Sequence, residues 1–246
     1  MAGAGGFPFA RPMKAMILAA GRGTRLRPFT NARPKALVEV AGRTLLEQVL
    51  DRLVGAGVTE VIVNLHHLGE QIPPFLAEHG NFGLKRVAYS PEPGLLGTGG
   101  GIKQAAWFFD DGQPFLIHNV DVLSEIDLGA LVCAHRQAGA LATLAAMARP
   151  TSRPLYFDAG GQLVGRRSPA KEDEFVRLPR GEVVPLGFCG VQAVSPAIFG
   201  KMTETGAFGI TESYLRLAGA GEAIIAHRVD GARWRDCGRL EDLRPL

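Results

Sequence analysis

The chain has 246 residues, 46% of them hydrophobic and 21% charged, which is enough for one large α/β domain with a full core. Its net charge is only +3 at pH 7, and Lys and Arg are spread along the chain, so the basic stripe of a nucleic-acid partner is not expected. Three widely spaced cysteines, Cys133, Cys189 and Cys237, exclude a disulfide framework or a Cys-x-x-Cys metal site and fit a reducing cytoplasm, and no apolar run approaches the roughly 18 residues of a membrane span.

In chain order, residues 1–12 are rich in Gly, Ala and Pro and read as a loose leader, with a single domain expected over 13–246. Residues 14–20 are an apolar run closed by glycines, which predicts a buried central strand and a loop. Residues 44–57 carry Leu45, Leu46, Val49, Leu50, Leu53 and Val54 at helical spacing and end at glycines. A β-branched strand is predicted at 60–65, then a second helix at 69–79, weakened by Pro73 and Pro74. A strand at 85–90, a helix at 101–109 and a buried strand at 115–119, running into Asp121, complete this half. The alternation predicts an α/β fold with a Rossmann-like, mostly parallel sheet and helices on both faces. Ligands of such sheets bind beyond the carboxyl ends of the strands, so the loops at 21–27 and 119–121 are expected at one cleft.

From Pro150 the pattern changes to short antiparallel strands at 155–157, 162–165 and 183–194, a small insertion over about 150–194. Short helices are predicted at 195–201 and 211–217, a strand at 223–229 and a terminal helix at 239–243. His66 and His67 follow a strand and read as loop residues near substrate. The sequence contains no internal repeat that would add a β-helix.

The first loop reads Gly21-Arg22-Gly23-Thr24-Arg25-Leu26-Arg27-Pro28. Glycines after a strand let backbone N–H groups approach phosphate oxygens, the arginines add forked donors, and Lys35 can reach the same anion. A dinucleotide fingerprint would need glycine where Leu26 stands and a helix where Pro28 interrupts, and no P-loop sequence occurs. A solvated turn remains open for the Gly-x-Gly taken alone. The run Leu95-Leu96-Gly97-Thr98-Gly99-Gly100-Gly101-Ile102 is either a flexible loop or a flat backbone surface for a base. Asp121, just past a buried strand, either caps a turn or binds something.

The first loop from Leu18 to Pro28, followed by Pro34-Lys35-Ala36-Leu37-Val38, resembles the signature of the sugar-phosphate nucleotidylyltransferase family. The triple-glycine run is similar to a segment of its short bacterial uridylyl- and guanylyltransferases. Trp234-Arg235-Asp236-Cys237-Gly238, with Leu243, resembles its closing segment. The resemblance implies a glycosyltransferase-A-like fold and Mg²⁺-dependent transfer of a nucleoside monophosphate to a sugar 1-phosphate. UTP with an amino-sugar 1-phosphate is favoured, and guanylyl transfer to mannose- or heptose-1-phosphate is the alternative. Base, sugar and oligomeric state stay open at this point.

As to residues, the resemblance implies that Leu18, Ala20, Gly21, Gly23 and Thr24 form the triphosphate site, with Arg25 on the leaving pyrophosphate and Lys35 at the reacting centre. Gly99 and Gly100 would line the base pocket, and Gly190 would meet the sugar. Asp121 and Asp236 would hold the metal. The family carries Gly-Asp where this chain has Val120-Asp121, so a side chain is expected to crowd the α-phosphate. That motivates a reading from another class, a nucleotide sensor without turnover. The acceptor phosphate has no clean lysine partner; the cationic run from Arg166 to Lys171 is nearest in place.

Overall fold

The computed structural model of the chain describes residues 13–167 and 173–243, so the expected leader and Lys171 of the cationic run lie outside them. Strand β1 (Met13–Leu18) is apolar apart from Lys14 because both its faces are covered: Ala15 and Ile17 enter one core, Met16 the other, and the buried Lys14 ammonium is met by the Phe108 carbonyl and Asp110. A small hairpin, β2 (Glu39–Val40) and β3 (Arg43–Thr44), delivers the chain to helix α1 (Leu45–Gly55). There Thr44 accepts from the N–H of Glu47 and the Glu47 carboxylate accepts from the N–H of Thr44, a reciprocal cap that sets the helix start. Strand β4 (Val58–Leu65), helix α2 (Ile72–Glu78) and strand β5 (Arg86–Pro91) follow.

Pro73 and Pro74 do not weaken α2, because they fall in its first turn, where a backbone N–H has no helical partner to lose. Helix α3 (Gly97–Gln104) begins four residues earlier than predicted and takes in the whole glycine run. Strand β6 (Phe115–Asn119) comes next. The sequence predicts no element between 122 and 149, yet β7 (Val122–Ser124), helix α4 (Leu128–Ala138) and β8 (Ala142–Met147) occupy it. The segment Ala-Thr-Leu-Ala-Ala-Met has neither alternation nor strong β-propensity; it is a strand because it is buried on all sides.

The short strands β9 (Leu155–Phe157), β10 (Leu163–Arg166) and β11 (Glu174–Phe175) lead to the long β12 (Val184–Val194). Residues Pro196–Lys201 form a 3₁₀ segment, then come α5 (Ile210–Gly219), β13 (Ile224–Arg228) and β14 (Trp234–Asp236). The predicted terminal helix is a single 3₁₀ turn, Leu240–Asp242.

One mixed sheet runs β11-β10-β9-β12-β6-β1-β4-β5, with β8 on β12 and β13 on β8. Strands β6, β1, β4 and β5 are parallel to one another, and β12 joins β6 antiparallel. The chain leaves β1 towards β4 and β5, then crosses back to lay β6 on the other edge of β1. That reversal opens a crevice at the carboxyl ends of β1 and β6. Helices α1, α2 and α4 pack on one face through Leu46, Ile72 and Leu131, and α3 and α5 on the other through Ile102 and Tyr214. No helix among the described residues is long and apolar enough to cross a membrane.

Candidate active site

The crevice between β1 and β6 is a cleft of about 260 Å³ bordered by Ala20, Gly21, Lys35, Thr98, Asn119 and Asp121. Its floor is built by Asn64, at the end of β4. The buried Asn64 Oδ1 accepts from the N–H groups of Ala19 (2.7 Å) and Ala20 (3.3 Å), and its Nδ2 donates to Glu92 Oε1 at 2.7 Å. Glu92 Oε2 accepts from Leu96 N–H at 3.0 Å, so one polar chain joins the first glycine loop to the start of α3. Neither Asn64 nor Glu92 was singled out in the sequence. The signal was present: each is a polar residue at the carboxyl end of a parallel strand, as Asp121 is.

In the first loop Gly23 sits at φ +61°, and a Cβ there would come within 2.8 Å of Thr30 Cγ2. Glycine is required on both counts. The Thr30 hydroxyl donates to the Gly23 carbonyl at 2.8 Å and fixes the turn. Gly21, by contrast, faces open space, which leaves its backbone bare to the cleft. Leu18 also borders the cleft, while Thr24 and Arg25 are exposed, Arg25 close to Gly238 and Asp236.

Three charged side chains converge. Buried Lys35 Nζ donates to Asp121 Oδ2. The N–H of Cys237 donates to the Asp121 carbonyl at 2.7 Å, and β14 pairs antiparallel with β7, placing Asp236 opposite Val122. Residue Asp236 reaches solvent, but its carboxyl is crowded: burial pushes it above the ordinary carboxylate range and the Asp121 charge adds to the push. Lys35, the Gly238 N–H (2.8 Å) and Arg25 offset part of this. A Cβ on Gly238 would lie 2.7 Å from Asp236 Oδ1 and 3.0 Å from Arg25 Nη2, so only glycine lets the two approach.

Two carboxylates held together with only partial compensation suit a divalent cation that takes its remaining ligands from phosphate and water. Among the described residues no group of three or more His, Cys, Asp or Glu could enclose a metal by itself. A pair that shares an ion with a bound triphosphate is the arrangement these side chains can supply.

Val120 borders this cleft between Asn119 and Asp121, but it is also packed into the core. Its side chain is 2% exposed and fills the core with Leu116 and Val122. The expectation for Gly99 and Gly100 also shifts. Gly97 and Thr98 border the cleft, whereas a Cβ on Gly99 would strike the Phe208 ring at 2.3 Å and one on Gly100 the Gly206 carbonyl at 2.8 Å. The Gly99 N–H is already spent on Phe208 O at 2.9 Å. These glycines let α3 lie against residues 206–210. Gly190, expected to meet the sugar, is buried instead at φ +73° against Asn119 and Val122, at a bulge in β12. His66 and His67 brace loops through ring-nitrogen contacts to the carbonyls of Glu92 (2.9 Å) and Thr30 (3.3 Å).

A larger cavity, about 660 Å³, lies between α1, β7 and the start of α4. Its polar lining is turned on itself: Arg43 pairs with Asp51, Arg52 donates to the Ile126 carbonyl, and Asp127 caps α4. It presents no converging groups comparable to Lys35, Asp121 and Asp236.

A family model for nucleotidyl transferases matches residues 14–157. An N-acetylmuramate alpha-1-phosphate uridylyltransferase of Neisseria meningitidis is 38% identical over 249 aligned residues, covering 95% of this chain and 98% of the relative. A protein of the same name from Caulobacter vibrioides is 37% identical over 215 residues, 85% of this chain and 86% of its own. Among solved structures, a putative glucose-1-phosphate thymidylyltransferase from Bacillus anthracis has a TM-score of 0.77 at 18% identity, over 94% of this chain and 92% of that one, which shows a shared fold.

Proposed function

Since the chain belongs to the nucleotidyl transferase family, we propose that it transfers a uridylyl group from UTP to N-acetylmuramate 1-phosphate. The chain is a sugar-1-phosphate nucleotidyltransferase, releasing pyrophosphate as it forms a nucleoside-diphosphate sugar. The choice of base and sugar rests on one observation, the identity to two uridylyltransferases of that specificity over 98% and 86% of their lengths.

In this reading an oxygen of the acceptor phosphate attacks the α-phosphorus of UTP. The new P–O bond forms as the bond to the bridging oxygen of the β-phosphate breaks, and that oxygen leaves with pyrophosphate. Mg²⁺ held by Asp121 and Asp236 would neutralise charge on the α-phosphate and orient it. Lys35, beside Asp121, stands where it can turn to the same phosphate. Bare backbone at Gly21 and the turn at Gly23 and Thr24 receive the triphosphate, and the exposed Arg25 takes the departing end. Gly97 and Thr98, rather than Gly99 and Gly100, border the space left for the base. Catalysis of this kind is positioning and charge neutralisation, and no covalent nucleophile is needed.

The test is pyrophosphate release from the purified chain with each of four nucleoside triphosphates against a panel of sugar 1-phosphates, with Mg²⁺. Turnover greatest with UTP and N-acetylmuramate 1-phosphate supports the reading. Greatest turnover with GTP and mannose 1-phosphate would overturn it, and tight nucleotide binding without turnover by any pair would return the sensor.

A further inference from the structure

A second cleft, about 560 Å³, lies beside the first and is lined by Arg149, Arg153, Arg166, Arg167, Phe188 and Thr211, among others. Its charge is one-sided: four arginines face a single lining carboxylate, Glu212. Arg166 and Arg167 are engaged by Glu174 and Asp173, at 2.8 and 3.2 Å. The other two are not matched by acids. Arg149 Nη2 donates to the Phe188 carbonyl at 2.8 Å and its guanidinium lies 4.2 Å from the Trp234 ring, while its buried Nε has no hydrogen-bond partner among the described residues. Arg153 is exposed and forms no ion pair among the described residues. Two guanidinium groups without a carboxylate partner in one cleft are suited to a planar anion.

The position of this cleft says whose anion it is. Arg149 stacks on Trp234, and Trp234 lies two residues before Asp236 on the same extended strand, about 6.6 Å away on the same face. On the other side, the Thr98 hydroxyl accepts from Ile210 N–H at 2.9 Å, so the wall holding Gly209 and Thr211 is tied to the rim of the first cleft. Arg149 is thereby joined through Trp234 to the strand that carries Asp236, and the opposite wall of the second cleft to the rim of the first. The reacting phosphate belongs with Lys35 and the metal pair, none of which lines the second cleft.

We infer that Arg149 and Arg153 receive a carboxylate carried by the acceptor sugar itself, making the preferred acceptor a sugar 1-phosphate with a second acidic group. The inference rests on the proposed function, since the lactyl ether of N-acetylmuramate 1-phosphate supplies such a group. It also goes beyond it, because it says which side chains discriminate against the neutral analogue.

The test compares kcat/KM for N-acetylmuramate 1-phosphate and N-acetylglucosamine 1-phosphate, which shares the ring and lacks the carboxylate. A preference of about 10- to 100-fold for the acidic sugar is expected. Arg153→Ala should bring the ratio of the two towards one, mainly through KM of the acidic sugar, and Arg153→Lys should keep part of it. Arg153 is exposed, so a thermal melt will show both variants folded. Equal use of both sugars by the wild-type chain overturns the carboxylate site and leaves the proposed function standing. A fall in kcat/KM for both sugars alike in Arg153→Ala also overturns it, by assigning the arginine to the common phosphate. Turnover confined to uncharged sugars overturns both readings. Turnover confined to a different acidic sugar, a uronic acid 1-phosphate, supports the site and overturns the muramate assignment.

Discussion

The backbone N–H of Cys237 donates to the carbonyl of Asp121 at 2.7 Å, and through that bond a residue near the end of the chain brings its neighbour Asp236 to the cleft built by β1 and β6. Pairing of β14 with β7 extends the same registration, setting Asp236 across from Val122. Both carboxylates are thus positioned by backbone, which holds them together despite their repulsion.

Replacing Asp236 by Asn should lower Mg²⁺-dependent pyrophosphate release by on the order of 10²- to 10³-fold, since a charge stabilising the transition state is lost. The melting temperature of the metal-free protein should hold or rise. Burial and Asp121 make the ionised form of Asp236 unfavourable in the folded chain, and the amide removes that penalty. Steady-state kinetics and a thermal melt without metal check both halves; near-normal turnover would sink the metal assignment.

Lys35→Gln should cost a comparable factor in kcat and also destabilise the metal-free protein by about 1–3 kcal/mol. The buried lysine is the partner of Asp121, and without it two carboxylates face each other with less compensation. Urea unfolding with and without Mg²⁺ reads this out. The metal should recover more stability in the variant than in the wild type.

Gly99→Ala should destabilise the fold by about 1–3 kcal/mol, because its Cβ would sit 2.3 Å from the Phe208 ring. Phe208→Leu in the same chain should recover part of the loss by freeing that space. A double-mutant cycle measures the coupling, and additive effects would show that the two do not meet.

Acid should destabilise the protein through two buried imidazoles. Burial pushes both His118 and His135 down from 6.5 to about 4. Between pH 6.5 and about 4 the unfolded chain binds more protons than the folded one, so stability is complete above that window. It falls as the pH drops through it, by up to about 3 kcal/mol for each residue. The Ser195 hydroxyl donates to Ala140 O at 2.9 Å, so His135 Nε2 must donate to Ser195 Oγ at 3.0 Å while Nδ1 accepts from Thr143 Oγ1. Imidazole NMR should show His135 as the Nε2–H tautomer, not titrating above pH 5. Urea midpoints at several pH values test the window.

Much of the fold was legible because local pattern and final environment agreed. The apolar runs of β1 and β6 and the heptad-like spacing of α1 each specify an element without outside help. Where context decided, the reading failed. The alanine-rich β8 acquires its strand from β12 and β13 on either side, and the glycines of α3 are held helical by the segment around Phe208.

The site divides in the same way. The sequence by itself marked the glycine loop, Lys35 and the two aspartates as a set, because the motifs that carry the family resemblance are a matter of residue type and spacing. Only the tertiary structure decided which groups share a cleft. It packed Val120 into the core, placed Gly97 and Thr98 at the rim in place of Gly99 and Gly100, and gathered Arg149 and Arg153 in one cleft, with Arg149 against Trp234. Side-chain direction at a loop or a bulge is set by whatever packs against it, and those neighbours come from distant parts of the chain.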